Sequence, residues 1–217
     1  MTGGCGGGCA GRETTPVDVT QNLHVRGRAV TLVHPPDATA LIDEEAFEHE
    51  EFLPYWAELW PSAVALADAV AAARPRLLRV VELGCGLGLP AIVAALEGAH
   101  VLATDWSPDA LAYAETNARA NGAQLETLRV AWADAAELLA RAPFDLVVAA
   151  DVLYERRNVP QLLELLPRLA AEVLLADPGR PALTAFLDGA ADAWLVTRDA
   201  VSELPRGGVY RLVRRVR

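Results

Sequence analysis

Short apolar runs alternate along the chain with longer stretches in which apolar residues recur at helical spacing. Apolar runs bounded by Gly, Pro or Asp are typical of strands buried on both faces, and helical spacing indicates helices that cover them. The runs predict seven strands, which lie at 77–83, 100–105, 125–132, 144–150, 172–176, 193–200 and 207–216. The helical stretches between them lie at 61–73, 90–97, 108–121, 159–171 and 181–190. This alternation predicts an α/β fold with a Rossmann-like, doubly wound, seven-stranded sheet that ends in an antiparallel C-terminal hairpin.

The segment before this sheet has a different pattern. Residues 17–25 and 28–33 alternate apolar and polar side chains around Arg26-Gly27, which predicts a hairpin that ends at Pro35-Pro36. The acidic segment 43–51 is predicted to be a solvated helix. We therefore expect three parts: a flexible Gly- and Cys-containing tail at 1–16, a hairpin with helices that form a lid at 17–75, and the sheet domain at 76–217.

The first predicted strand of the sheet ends in a glycine-rich loop, Glu82-Leu83-Gly84-Cys85-Gly86-Leu87-Gly88. Glycines allow positive φ angles and let a ligand come close to the backbone, so the loop predicts a site for a nucleotide-like molecule. The spacing is G-x-G-x-G, which differs from the G-x-G-x-x-G of dinucleotide-binding folds. Cys85 is interpreted as a small residue between the glycines. A glycine-rich turn without a ligand is the alternative.

Two further strands are predicted to end in acidic residues. Asp105 follows the second strand, where a carboxylate can accept hydrogen bonds from both ribose hydroxyls. Because Ser107 and Pro108 supply the cap and first turn of the next helix, we expect Asp105 to be free for this role. The fourth strand is followed by Asp151 and Tyr154, which we expect to face the reactive part of the bound molecule, the group that it transfers. The alternative is a capping acid and a core tyrosine.

Tryptophans lie near the same predicted edge of the sheet. Trp60 belongs to the aromatic stretch 54–62, which is either a plug on the sheet edge or a lid over a ligand, since aromatic faces hold cations. Trp106 could cover an adenine face or simply pack on the surface. Trp132 and Asp134 follow the third strand, beside the expected adenine edge, and either could be structural.

Composition narrows the classes of function. The chain carries 19 Lys and Arg against 29 Asp and Glu, a formal net charge of −10, so it repels polyanions and we expect no nucleic-acid partner. We expect no membrane partner, because Asp68 interrupts the alanine-rich stretch around 63–73. The start of the chain shows no secretory or mitochondrial pattern and the cysteines number three, so we expect a cytoplasmic protein. Cys5 and Cys9 lack nearby partner ligands, and we predict no metal site.

The motifs together resemble the seven-β-strand S-adenosylmethionine (SAM) methyltransferases. Within these, the chain is similar to the family-16 protein-lysine methyltransferases, whose Asp-x-x-Tyr motif is matched by Asp151 to Tyr154. The segments 54–57 and 177–180 are similar to the electron transfer flavoprotein β-subunit lysine methyltransferases. The residues that carry the resemblance are Trp60-Pro61-Ser62, the glycine-rich loop, Asp105, Trp132 and 149–155.

The resemblance implies a cofactor, a substrate class and roles for individual residues. It implies SAM as cofactor, a protein substrate with a target lysine, such as the electron transfer flavoprotein β-subunit, and Asp151 and Tyr154 at the lysine entrance. It also implies that 76–217 is the SAM-dependent methyltransferase domain, and we expect a bacterial version that acts as a monomer. The residues predicted to contact the cofactor are Trp60, Glu82, Gly84, Cys85, Gly86, Gly88, Asp105, Trp106, Trp132 and Ala150.

Three other functions remain open at this point. The acceptor could be a small amine or hydroxyl metabolite, the protein could bind SAM without catalysis, or the loop could hold a nicotinamide cofactor. The presence of both Asp151 and Tyr154 disfavours the hypothesis that the protein binds SAM without catalysis.

Overall fold

The computed structural model describes residues 17–38 and 54–215. The predictions for the tail at 1–16, the acidic helix at 43–51 and the last two residues lie outside this range. The chain forms nine named strands within it, β1 Val19–Val25, β2 Arg28–His34, β3 Arg79–Leu83, β4 His100–Asp105, β5 Glu126–Arg129, β6 Leu146–Ala150, β7 Glu172–Asp177, β8 Trp194–Asp199 and β9 Gly208–Arg214. The α-helices are α1 Pro61–Ala73, α2 Leu89–Leu96, α3 Pro108–Ala120, α4 Ala136–Ala140, α5 Asn158–Leu169 and α6 Pro181–Ala190, and a 3₁₀ turn spans Tyr55–Ala57.

The main sheet has seven strands in the order β5-β4-β3-β6-β7-β9-β8. The strands from β5 to β7 are parallel, and β9 is antiparallel to both β7 and β8. This confirms the predicted seven-stranded sheet and its antiparallel C-terminal pair. The strand order reverses between β3 and β6, so the ends of the first and fourth strands of the sheet lie side by side.

Helices cover both faces of the sheet, as a doubly wound fold requires. Successive residues of a strand point to opposite faces, and Val80 accordingly packs with α1, α2 and α3 while Val81 packs with α5 and α6. The central strands are buried on both faces, which explains their continuous apolar runs. No helix in the described parts of the chain is long and apolar enough to cross a bilayer.

Some predicted strand boundaries were wrong. The third strand of the sheet was expected over 125–132, but β5 ends at Arg129 because the chain turns there, with the Asp134 N–H donating to the Ala131 carbonyl at 2.9 Å. Leu77 was expected to begin the first strand, yet it has a φ of 64° and is 70% exposed, so the strand begins at Arg79. The short helix α4 was not predicted.

The predicted N-terminal hairpin is confirmed, and two asparagines of α3 hold it in place. Strand β2 pairs with β1 on one side only. On its other side the Asn117 side chain accepts from Val33 N–H at 2.6 Å and donates to the Val33 carbonyl at 3.1 Å. Asn121 makes the same pair of bonds with Thr31, at 2.8 and 2.7 Å. The two amides therefore replace a neighbouring strand, and the Asn117 amide also donates to the Leu87 carbonyl of the glycine-rich loop at 3.0 Å.

We predict that Asn117→Ala lowers the free energy of unfolding by about 2–3 kcal/mol in urea denaturation, because it leaves buried backbone groups without partners. Asn117 is fully buried. The matched control is Asn22→Ala on the exposed side of the hairpin, where the asparagine accepts a hydrogen bond from the Thr31 hydroxyl. The control should change stability by less than about 0.5 kcal/mol. Equal losses in the two variants would contradict this role for Asn117.

Candidate active site

A cavity of about 430 Å³ lies at the carboxyl edge of the sheet, where β3 and β6 meet. Its volume is typical of small-molecule sites. The walls come from the glycine-rich loop, the ends of β4, β5 and β6, and the segment around the 3₁₀ turn. All twelve residues of the predicted site line this one cavity, namely Trp60, Glu82, Gly84, Cys85, Gly86, Gly88, Asp105, Trp106, Trp132, Ala150, Asp151 and Tyr154.

The glycines of the loop have positive φ angles and leave no room for side chains. Their φ values are 65° at Gly84, 50° at Gly86 and 82° at Gly88. A Cβ at Gly84 would lie 3.3 Å from a Val152 methyl carbon and 3.5 Å from the Trp132 ring. At Gly88 it would lie 2.9 Å from the Ala114 Cβ, so this glycine lets α3 pack closely against the loop. The backbone of this loop lines the cavity without side chains at these three positions, and we call Gly84 to Gly88 the cradle.

Glu82 lies under the cradle and is almost completely buried. Its Oε2 accepts from the Ala91 N–H at 2.8 Å, in the first turn of α2. Burial raises the pKa of the Glu82 carboxyl well above its ordinary value, the Ala91 hydrogen bond opposes this shift, and the charge of Asp105 adds to it. Cys85 is buried beside these acids, and burial with their charges raises the pKa of its thiol well above the ordinary value. The neutral thiol agrees with the interpretation of Cys85 as a small packing residue.

Asp105 ties the end of β4 to the glycine-rich loop. Its Oδ2 accepts from the Gly86 N–H and its Oδ1 from the Ser107 N–H, each at 3.0 Å. Burial raises the pKa of Asp105, and the backbone donors lower it in part. Ser107 caps α3 by accepting from the Ala110 N–H, as expected. The sequence suggested that Asp105 would then have no part in this turn, but its carboxylate accepts from the Ser107 N–H. Each carboxylate oxygen can accept more than one hydrogen bond, so acceptor capacity remains toward the cavity.

The tryptophans after β4 and β5 both line the cavity. Trp132 lies against Gly84, and the Trp106 carbonyl accepts from the Arg129 side chain at 2.9 Å. Asp134 is not part of the cavity wall, since it closes the turn with Ala131. This favours the structural alternative for Asp134. The contacts of the two tryptophans with a cofactor stay predictions.

Asp151 is held from two sides at the end of β6. It has a φ of 59° and is 9% exposed. Its Oδ2 accepts from the Ser62 hydroxyl at 3.2 Å, and its Oδ1 from Arg180 Nε at 2.5 Å. The next helix, α5, has Arg157 rather than Asp151 at its N-cap position. The alternative of a helix-capping acid is therefore wrong.

Tyr154 lies at the mouth of the cavity and is 38% exposed, so it is not a core tyrosine. Its ring contacts the Tyr55 ring, with the centroids 5.6 Å apart, and Tyr55 in turn lies 6.4 Å from Trp60. Desolvation, with the charge of Glu155 next, raises the pKa of Tyr154 to about 12. Tyr154 therefore keeps its proton at neutral pH.

The predicted set omitted three residues that shape the site: Tyr55, Ser62 and Arg180. Tyr55 and Ser62 belong to the aromatic stretch that the sequence marked, but nothing in it shows which side chains turn inward. Arg180 follows the end of β7, the strand next to β6. That position at the carboxyl edge was a signal that could have found it.

The site residues fit SAM. The glycine-rich loop lines the cavity, and Asp105 offers acceptor oxygens for a ribose. Aromatic rings at the wall suit an adenine or a cationic group. Among the described residues, no group of three or more His, Cys, Asp and Glu side chains could hold a metal ion.

This fold is that of the SAM-dependent methyltransferases. The structure superposes on the Thermus thermophilus 16S rRNA N2 G1207 methyltransferase, solved with SAM and guanosine, with a TM-score of 0.64 at 16% identity, covering 92% of this chain and 51% of that one. It also resembles magnesium protoporphyrin IX methyltransferase from Synechocystis, solved with SAM, with a TM-score of 0.56 at 19% identity, covering 82% and 98%. At these identities the likeness concerns the fold alone.

The chain belongs to the lysine methyltransferase family, whose sequence model matches residues 51–176. It is 34% identical to protein N-lysine methyltransferase METTL21A of Danio rerio, covering 53% of this chain and 56% of the relative. It is also 34% identical to the electron transfer flavoprotein β-subunit lysine methyltransferase of Xenopus laevis, covering 58% and 53%. A histone-arginine methyltransferase, METTL23 of Xenopus laevis, is 31% identical, covering 50% and 49%. The chain spans about half the length of these curated relatives.

We predict that Gly88→Ala destabilises the protein more than Gly122→Ala. Both glycines have positive φ, so both variants lose roughly 1 kcal/mol of stability through backbone strain. Only the Gly88 variant forces a Cβ into Ala114, whereas nothing lies within 4 Å of a Cβ at Gly122. This overpacking should add about 1–3 kcal/mol, measured by urea denaturation. Equal losses would mean that α3 moves away from the loop without cost.

We predict that Glu82→Gln stabilises the protein at pH 8 and does so less at pH 5. The raised pKa means that the folded wild type binds more protons than the unfolded chain between the two pKa values. Wild-type stability therefore falls as pH rises through the folded pKa, while the glutamine does not titrate. Urea denaturation at the two pH values measures the difference. A difference that does not grow with pH would contradict the prediction.

The matched control for this change is Glu164→Gln. Glu164 is 78% exposed in an i,i+4 pair with Arg168 on α5. Such surface pairs contribute little, so the control should change stability by less than about 0.5 kcal/mol at either pH.

Proposed function

We propose that this protein is a SAM-dependent N-methyltransferase that modifies lysine side chains of a protein substrate. The observation that carries the proposal is one cavity in which the glycine cradle and Asp105 face Asp151 and Tyr154. Membership of the lysine methyltransferase family supports the same activity. When bound, SAM supplies a methyl group on a positively charged sulfur, which leaves with the electron pair of the broken C–S bond.

The residues of the site bind and orient rather than attack. The cradle and Asp105 would hold the cofactor. Asp151 would orient the acceptor amine through a hydrogen bond, because Ser62 and Arg180 already fix its carboxylate. Tyr154 would pack on the lysine stem and, with its pKa of about 12, does not act as a base. Alignment of the two reactants in a site shielded from water supplies most of the rate enhancement.

The mouth of the cavity favours an acceptor that belongs to a protein. Tyr55 and Tyr154 are 42% and 38% exposed there, so they present ring surface to a side chain that arrives from solvent. The relatives named as lysine methyltransferases have protein substrates in their names, including the electron transfer flavoprotein β-subunit. We propose that subunit as the first candidate substrate, since the sequence resemblance of 54–57 and 177–180 favours it.

Other features of the proposal rest on the sequence. A net charge of −10 favours a protein without a nucleic-acid partner. We propose a monomer in the cytoplasm, with no membrane partner. The lid was expected over 17–75, but α1 within that range packs on the sheet and the hairpin is held by α3. We therefore propose as a lid the segment that lines the cavity through Tyr55 and Trp60.

We predict that radiolabelled SAM, incubated with lysate from a strain lacking this gene, transfers label to a lysine of a protein when the enzyme is added. Asp151→Asn should reduce labelling by roughly 100-fold while SAM binding, measured by calorimetry, stays within about twofold. Asparagine suits the test because it tolerates the positive φ of Asp151. The matched control is Asp192→Ala, an exposed acid outside the cavity, which should label as the wild type does.

The outcomes separate the alternatives. A labelled flavoprotein β-subunit supports the narrow proposal, and another labelled protein supports only the wider one. Label confined to small molecules favours a metabolite methyltransferase. SAM binding without any transfer favours a noncatalytic module, and stabilisation by NAD instead of SAM favours a nicotinamide enzyme.

A further inference from the structure

Arg180 lines the acceptor side of the cavity, where the proposed reaction uses it only to hold the Asp151 carboxylate in place. Its Nε donates to Asp151 Oδ1 at 2.5 Å, and its guanidinium lies 5.7 Å from the Trp60 ring centroid. The side chain is 30% exposed, against 8% for Asp151, so the ion pair is only partly open to solvent. Arg180 therefore brings a fixed positive charge to the residue that would orient the amine.

The backbone that presents Arg180 is itself held by a buried acid. Asp177 Oδ1 accepts from the Gly179 and Arg180 N–H groups, each at 2.7 Å. Its Oδ2 is buried and has no hydrogen-bond partner among the described residues. Burial raises the pKa of Asp177, and the Arg180 guanidinium is among the groups that lower it. The turn after β7 thus fixes where the guanidinium can reach.

We propose that Arg180 is a positioning residue that keeps the acceptor amine neutral, and hence nucleophilic, by cancelling the charge of Asp151 next to it. The inference rests on the proposed function and adds a specific task for a residue that the Asp-x-x-Tyr motif does not include.

The sign of the effect follows from elementary electrostatics. A lysine amine has an ordinary pKa of about 10.4, so near neutral pH it arrives as an ammonium without a lone pair. A lone carboxylate beside it would hold that proton more tightly, whereas a nearby guanidinium repels it. Arg180 acts in both ways, since it neutralises Asp151 and adds its own repulsion. It remains charged at every pH of interest.

Other charged and titratable groups also line the cavity around the acceptor position. Glu155 pairs with Arg157 at 2.5 Å on the segment after β6. Glu58 lies in the segment before α1, and Tyr154 keeps its proton. Glu82 and Asp105 lie under and beside the cradle, where burial raises both pKa values. Asp151 itself forms an ion pair with Arg180.

The test compares Arg180→Gln with Arg180→Lys, which keeps the charge, and with Arg119→Gln as a matched control. Arg119 is a surface arginine of α3, 70% exposed and outside the cavity. The rate of methylation is measured from pH 6 to 10 on the acceptor protein found by the labelling experiment. For Arg180→Gln the rate should rise with pH about one pH unit later than in the wild type. Activity should therefore fall roughly tenfold at pH 7 and recover near pH 9.5. Arg180→Lys and Arg119→Gln should stay within about 0.3 units of the wild type.

A binding measurement tests the same inference without turnover. Calorimetry in two buffers of different ionisation enthalpy gives the protons released when the acceptor protein binds at pH 7.5. The wild type should release more protons than Arg180→Gln, because its bound amine is more often neutral. SAM affinity should be the same in both within about twofold.

Failure of the proposed function and failure of the Arg180 inference give different results. If the wild type methylates no amine, the proposed function fails. If the methylation rate of Arg180→Gln is lower by the same factor at every pH, Arg180 has only a structural role. If its SAM affinity falls instead, Arg180 belongs to the cofactor site. If Arg180→Gln does not fold, the double variant Asp151→Asn/Arg180→Gln is compared with Asp151→Asn in single-turnover reactions with excess enzyme. The double variant should need a higher pH for half-maximal activity than Asp151→Asn alone, because only Asp151→Asn keeps the positive charge that repels the proton. The same pH in both variants would overturn the inference.

Discussion

The parallel pairing of β3 with both β4 and β6 is the constraint on which the site depends. Parallel strands in register end at one edge of a sheet, so whatever follows each strand is brought together there. Leu83 pairs with Thr104 on one side and with Ala149 on the other, which puts Asp105 and Asp151 on either side of the glycine-rich loop. Residues far apart along the chain thus reach one cavity without any long loop.

This constraint explains which parts of the structure could be predicted from the sequence. The residues after β3, β4 and β6 could be placed because apolar runs mark the strands and parallel pairing fixes where they end. The limits of β5 could not, because the Val130 N–H still donates to the Asp105 carbonyl beyond the last strand residue, and an apolar pattern does not show where pairing stops. Tyr55 reaches the site through tertiary packing, which leaves no periodic signal in the chain, whereas Arg180 follows the end of β7 and could have been found by the same rule.

The carboxyl edge of the sheet contains several buried carboxylates, which lower the stability of the fold. Glu82, Asp105 and Asp177 are nearly or completely buried, and burial raises the pKa of each. Backbone N–H groups of the loop and turns offset part of that cost, through Ala91 for Glu82, Gly86 for Asp105 and Gly179 for Asp177. A protein selected only for stability would place apolar residues at such positions. The acids therefore indicate a function for this edge of the sheet rather than a role in the core.

The aromatic wall links this electrostatic arrangement to the chemistry of an amine acceptor. Aromatic faces attract cations, which would favour an ammonium, yet methyl transfer needs a neutral amine. Arg180 lies over the Trp60 ring, so its guanidinium already occupies that ring face. This ring is therefore less available to attract an ammonium. Trp60 is oriented by the hydrogen bond from its Nε1 to the Tyr55 carbonyl at 2.8 Å, while the Tyr55 ring packs against Tyr154. In the proposed reaction, the rings left at the mouth would pack on the apolar stem of a lysine, and Asp151 and Arg180 would set the charge near its nitrogen.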